Sequence, residues 1–333
     1  MSCIFCKTEN ELTDEHVFPA ALGGRAELKA GTCKDCNNKF SRAFEEKINR
    51  AFIPIRNILF IPDRRGEVPR VCAQVVVEGR VRRARILPGG KLQIPPMKFN
   101  VDTSSGREVI YRAFSVEDET TLLANLKARG IEVETAPSGS SSTVEGEFEW
   151  QASILTSESA FRTIAKIALI GFAHQFGQRS VESKAFGSIK AFIEDGSEGS
   201  PVRLFHSEEF RRATQAGPHR HMVLFAAIRK ERVIWAIVML FGGLTYLVKL
   251  SDCWEGIDLM KTYCDDAQKG EDCIVLPASL ENELKAIPLV LDRKTIWNDI
   301  RASADAFIEG LRQASAAKAP SAQTDESKES AQK

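Results

Sequence analysis

The chain has 333 residues, with 45 basic and 45 acidic side chains, no net formal charge, and 43 % apolar residues. That composition is ordinary for a soluble globular protein and excludes a mostly disordered chain, a collagen or a disulfide-dense mini-protein. The length exceeds one typical core, so two domains are expected, and the neutral balance means that any grip on nucleic acid must come from a local patch. In chain order, Cys3-x-x-Cys6 comes first and Cys33-x-x-Cys36 follows 26 residues after it. Phe40, Phe44, Ile48 and Phe52 then recur at every fourth position and predict an amphipathic helix that Pro54 ends or kinks. Strands are expected at 71–77 and 81–87, joined at Glu78-Gly79, and at 109–114. A helix at 117–129 stops at Gly130, a polar loop covers 138–142, and a strand is read at 145–155.

The stretch 161–176 has the apolar spacing of a core helix, with Ser157 or Ser159 as its cap and Gly177 as its stop. A shorter helix is read at 181–193. Three antiparallel strands follow at 222–229, 232–240 and 244–250. The apolar run 233–248 is too short for a membrane span and contains Gly242-Gly243, so a buried hairpin is expected. The last twenty residues have the composition of a disordered tail. The amino terminus has no basic stretch followed by an apolar one, so no signal peptide is read, and a reducing cytoplasmic location is expected.

In that setting, paired cysteines read as metal ligands. Each Cys-x-x-Cys places two thiolates in one turn, and two such turns complete a tetrahedral S₄ shell for Zn²⁺ from Cys3, Cys6, Cys33 and Cys36. The other cysteines (Cys72, Cys253, Cys264, Cys273) read as buried thiols. Between the knuckles stands Asp14-Glu15-His16-Val17-Phe18-Pro19, with Leu22-Gly23-Gly24 after it. A zinc-closed ββ hairpin feeding a helix would bring His16 near the first helical turn. A histidine base, carboxylate oxygens and a neutral ligand at one point are the parts for metal-assisted phosphodiester hydrolysis.

Together, Cys3-x-x-Cys6, Glu15-His16-Val17-Phe18-Pro19, Leu22-Gly23-Gly24 and Cys33-x-x-Cys36-Asn37-Asn38-x-Phe40 resemble the zinc-containing HNH endonucleases over about the first 60 residues. The resemblance implies a ββα-metal finger with a structural zinc. It makes His16 the general base, Glu15 and Asn37 ligands of a catalytic Mg²⁺ or Mn²⁺, Asn38 a neighbouring catalytic candidate, and Lys39 a phosphate contact. Where relatives carry Asn-Leu before the second knuckle this chain has Glu27-Leu28-Lys29, so the residue that orients the base is not identified, and Glu45 or Glu46 is the candidate further ligand.

Residues 78–98 hold six basic and one acidic side chain, and Arg80, Arg82, Arg83 and Arg85 on one strand could grip phosphates. His219-x-His221 is read as a surface loop, and Trp150, Trp235, Trp254 and Trp297 as core or rim aromatics.

The expected architecture is α+β. It comprises a finger at 1–66, a larger mixed domain with antiparallel sheet at 67–312, and the tail at 313–333. The expected function is an endonuclease acting on nucleic acid, first of all double-stranded DNA, with no membrane partner. A defence role is suggested by analogy, and a second copy or a regulatory ligand is expected to use the larger domain. The competing reading is a non-catalytic zinc finger that binds nucleic acid or a partner and is attached to a ligand-binding domain.

Overall fold

Leu12–His16 (β1) and Glu27–Cys33 (β2) pair antiparallel, with His16 opposite Glu27 and a register shift between Thr13 and Glu15. The structure, a computed structural model, describes residues 1–63, 65–77, 80–90, 92–103, 106–112, 116–131, 152–196, 199–206, 210, 214, 217–268, 305 and 307–311. The link between β1 and β2 depends on its glycines. Gly23 has φ +98°, and a Cβ on Gly24 would lie 2.0 Å from the carbonyl oxygen of Phe18.

β2 runs directly into α1 (Lys34–Phe40). One widened turn at Ser41–Glu45, in which the Glu46 amide donates to the Ser41 carbonyl, leads into α2 (Glu46–Ala51). The expected apolar face is buried, with Phe40, Phe44, Ile48 and Phe52 all at 2 % exposure or less. Pro54 does not end this helix. It sits in the first turn of α3 (Ile53–Ile58), where a missing N–H costs nothing, and the bend falls at Phe52.

Val71–Val77 (β3), Arg80–Ile86 (β4) and Leu92–Gln93 (β5) form a three-stranded antiparallel sheet. Met97–Thr103 (β6) and Gly106–Arg112 (β7) form a separate ribbon, followed by α4 (Val116–Ala128). Fully buried Asn57 on α3 donates from Nδ2 to the carbonyls of Pro69 (2.7 Å) and Ile86 (3.0 Å), which anchors the first of these sheets on the finger helix.

The long helix α5 (Glu158–Phe176) starts at Ser157, whose Oγ accepts from the Ala160 amide at 3.2 Å, and stops at Gly177. α6 (Gly187–Asp195) is shorter than expected, because two tight 3₁₀ turns occupy 178–186 before it. The Arg162 guanidinium donates to the Ile193 and Glu194 carbonyls, so a cation closes the carboxyl end of α6.

The main sheet is antiparallel, in the order β12 (Leu259–Asp266), β9 (Arg220–Ile228), β10 (Val233–Leu240), β11 (Leu244–Ser251), β8 (Val202–Leu204). The apolar run 233–248 is the β10–β11 hairpin, as expected. Among the described residues, no helix is long and apolar enough to cross a membrane.

α5 lies between the finger and the main sheet and packs against both. One buried cluster runs from Cys3, Phe18, Phe40 and Phe52 through Ile164, Leu169 and Phe172 to Phe225, Val238 and Tyr246. Phe18 stacks on His221 with ring centres 5.0 Å apart, and Phe52 meets Phe241 at 5.4 Å. Burying one such ring contributes about 1.5–3 kcal/mol, so the finger is held by the rest of the chain as well as by its own residues.

Several expectations are corrected. His221 is fully buried rather than on a surface loop, because its ring is neutral and fully engaged: Nε2 donates to the Leu22 carbonyl at 3.0 Å and Nδ1 accepts from the Phe241 amide at 3.4 Å. Cys72 and Cys253 are exposed thiols, and Cys264 is disulfide-bonded. Residues 152–156, read as the end of a strand, form a helical turn. The strand at 145–151, the 138–142 loop, the turn at 78–79, Arg64, Lys91, Trp150, Trp297, Cys273 and the tail at 313–333 lie outside the described residues.

Candidate metal centre and active site

The two knuckles meet. Cys3, Cys6, Cys33 and Cys36 bring four Sγ atoms within 4.8 Å of one another. A tetrahedral zinc site with Zn–S bonds near 2.3 Å has S···S edges of about 3.8 Å, so the ion fits with small side-chain adjustments. The backbone already has knuckle geometry: the Lys7 amide donates to the Cys3 carbonyl at 2.9 Å, and the Cys36 amide donates to Cys33 Sγ at 3.4 Å. Four thiolates are soft donors suited to zinc and poorly suited to Mg²⁺.

The outer face of the hairpin carries Asp14, His16, Glu27 and Lys29. His16 Nε2 is 3.3 Å from Glu27 Oε1, and the His16 side chain is 14 % exposed. Lys29 Nζ bridges Asp14 Oδ2 at 2.7 Å and Glu27 Oε2 at 2.8 Å. The Lys29 ammonium therefore holds both carboxyls below their ordinary range. Glu27, at the departure from the usual signature, is thus the carboxylate beside the histidine.

Glu15 faces the other way. It is 7 % exposed; Oε1 accepts from Lys166 Nζ at 3.0 Å and Oε2 from Thr32 Oγ1 at 3.0 Å. Lys166 also donates to Glu45 Oε1 at 2.8 Å, and its ammonium lies 5.6 Å from the centre of the Phe40 ring. Burial pushes the Glu45 carboxyl up, against the pull of Lys166. Burial pushes the Lys166 ammonium down, but the two carboxylates outweigh it and hold it above its ordinary value. A divalent ion at Glu15 would have to displace the Lys166 ammonium, which already supplies the positive charge between Glu15 and Glu45.

The remaining residues named from the sequence are spread out. Asn37, half-buried on α1, donates from Nδ2 to Thr13 Oγ1 at 3.5 Å. Asn38 and Lys39 are exposed, with Lys39 Nζ 3.7 Å from Asp195. Glu46 is exposed and pairs with Arg50. On β4, Arg83 and Arg85 share an exposed face with Val81, Arg82 lies on the half-buried side, and Arg80 pairs with Val77 in register. The structure therefore unites the four cysteines at one point and places His16 beside Glu27.

Sequence reasoning missed Lys166. Its only signal was a lysine set between apolar neighbours, Ala165 and Ile167, in the middle of α5.

No curated protein and no solved structure matches the chain. Residues 3–53 match the family model described as HNH endonuclease, and the β1–β2–α1 order with its four-cysteine cluster makes this segment an HNH finger.

Proposed function

We propose that the finger hydrolyses phosphodiester bonds of nucleic acid, double-stranded DNA first, with His16 taking the proton of the attacking water. The observation that carries this reading is the placement of His16 at the end of β1, partly exposed and 3.3 Å from Glu27, on a hairpin that the knuckle cluster fixes. Glu27 orients the ring and favours its protonated form after proton uptake. With Glu15 committed to the buried Lys166 charge, the oxygen groups for Mg²⁺ or Mn²⁺ are Asn37 and the Asp14 and Glu27 carboxylates, from which the ion would have to displace the exposed Lys29 ammonium. The exposed Arg83 and Arg85 face supplies sequence-independent phosphate contacts.

One observation favours the other reading, a finger that binds without cleaving. The carboxylate expected to hold the catalytic ion is buried and paired with a lysine and a threonine. Plasmid nicking with Mg²⁺ or Mn²⁺ separates the two. Nicking by the wild type that is lost in His16→Ala supports the nuclease, whereas equal or absent nicking in both supports the binding module.

A further inference from the structure

We propose that Lys166 is a positioning residue of the finger: its ammonium occupies the cation place between the Glu15 and Glu45 carboxylates and so holds the His16 strand end from α5. This rests on the nuclease reading for its consequence in catalysis, although not for its geometry. Lys166 Nζ lies 3.0 Å from Glu15 Oε1 and 2.8 Å from Glu45 Oε1, and it faces the Phe40 ring. Two anions accept hydrogen bonds from the ammonium, and the Phe40 ring adds a cation–π contact.

Lys166 is 2 % exposed, Glu15 7 % and Glu45 9 %. An ion pair this deep is weak evidence for stability, since two well-packed apolar residues often do as well. What the trio adds is placement. Glu15 directly precedes His16 on β1, and its second oxygen holds Thr32 on β2, so Lys166 fixes both strands of the hairpin from a helix outside the finger. Glu45 sits in the widened turn that follows α1, so the same ammonium also ties that turn to α5. Two carboxylates converging on one cation are what an oxygen-ligated divalent ion needs, and here the cation comes from the polypeptide.

The test uses the full zinc-loaded chain. Lys166→Met keeps length and volume but removes the charge, leaving two buried carboxylates facing an empty cation place. Thermal unfolding is followed with and without Mn²⁺. Lys166→Met should gain about 5 °C in Tm at Mn²⁺ one hundred times above its Kd, a gain absent from the wild type. Adding Glu45→Gln to Lys166→Met should abolish the gain while relieving the charge excess, so this double variant folds where the single one is strained. Nicking by Lys166→Met should fall about tenfold or more and recover as Mn²⁺ is raised, whereas the folded double variant should stay low at every Mn²⁺ concentration.

Equal Mn²⁺ stabilisation of wild type and Lys166→Met, a gain that survives Glu45→Gln, or full nicking by the folded double variant would overturn the proposal. A wild type that never nicks refutes the nuclease reading alone, and the Mn²⁺ shift then still decides the cation place.

Discussion

Gly24→Ala is the substitution whose effect the geometry defines most directly. The added Cβ would sit 2.0 Å from the Phe18 carbonyl oxygen and 2.7 Å from Phe18 C and Cβ. The obstacle is backbone, so no rotamer relieves it, and the loop must move by about 1 Å within a close-packed core. The loop is tied down on both sides. Leu22 and Gly24 amides donate to the Pro19 carbonyl at 2.8 and 3.3 Å, the Arg25 amide to Asp265 Oδ2 at 2.8 Å, and His221 to the Leu22 carbonyl. Overpacking costs about 1–3 kcal/mol, and each hydrogen bond lost costs about 1 kcal/mol. The expected destabilisation is therefore about 3 kcal/mol, or about 5 °C in Tm for a chain of this length. Urea unfolding followed by tryptophan fluorescence measures it. Gly187→Ala is the control, since its φ is −60° and nothing lies within 4 Å of the new Cβ; it should be neutral or slightly stabilising. A Gly24→Ala variant within 1 kcal/mol of wild type would refute the steric argument.

Three further outcomes are expected. Burial lowers His221 to about 4 from an ordinary 6.5, so the unfolded chain takes up a proton before the folded one does. The resulting stability is complete above pH 6.5 and declines by about 3 kcal/mol as the pH falls to 4; His221→Phe should flatten that limb in denaturant titrations at stepped pH. Asn57→Leu leaves the Pro69 and Ile86 carbonyls without their donor and should cost about 2–3 kcal/mol, with faster proteolysis within 67–90. Removing zinc with a chelator, or Cys36→Ser, should lower Tm in one cooperative transition, because finger and main sheet share a core; two separate transitions in calorimetry would contradict that sharing.

Much of the finger is legible locally. A Cys-x-x-Cys turn brings two sulfurs together whatever surrounds it, and the period of Phe40, Phe44, Ile48 and Phe52 follows from helix geometry. The β10–β11 hairpin is equally local, since an apolar run broken by Gly242-Gly243 can satisfy its backbone only by folding on itself. His221 and the extra cysteines were misread because burial depends on partners distant in sequence, such as Phe18 for the imidazole.

The sequence by itself determined an HNH finger with two Cys-x-x-Cys knuckles and the antiparallel β structure after it. Only the tertiary structure decided what surrounds those residues. Lys166 lies 151 residues from Glu15 and 121 from Glu45, and no pattern along the chain links them. The link exists because α5 is wedged between the finger and the main sheet, where a charged side chain must find opposite charges or stay out. That pairing turns the expected metal ligand into the partner of an internal cation and leaves Glu27, on the opposite strand, beside the histidine.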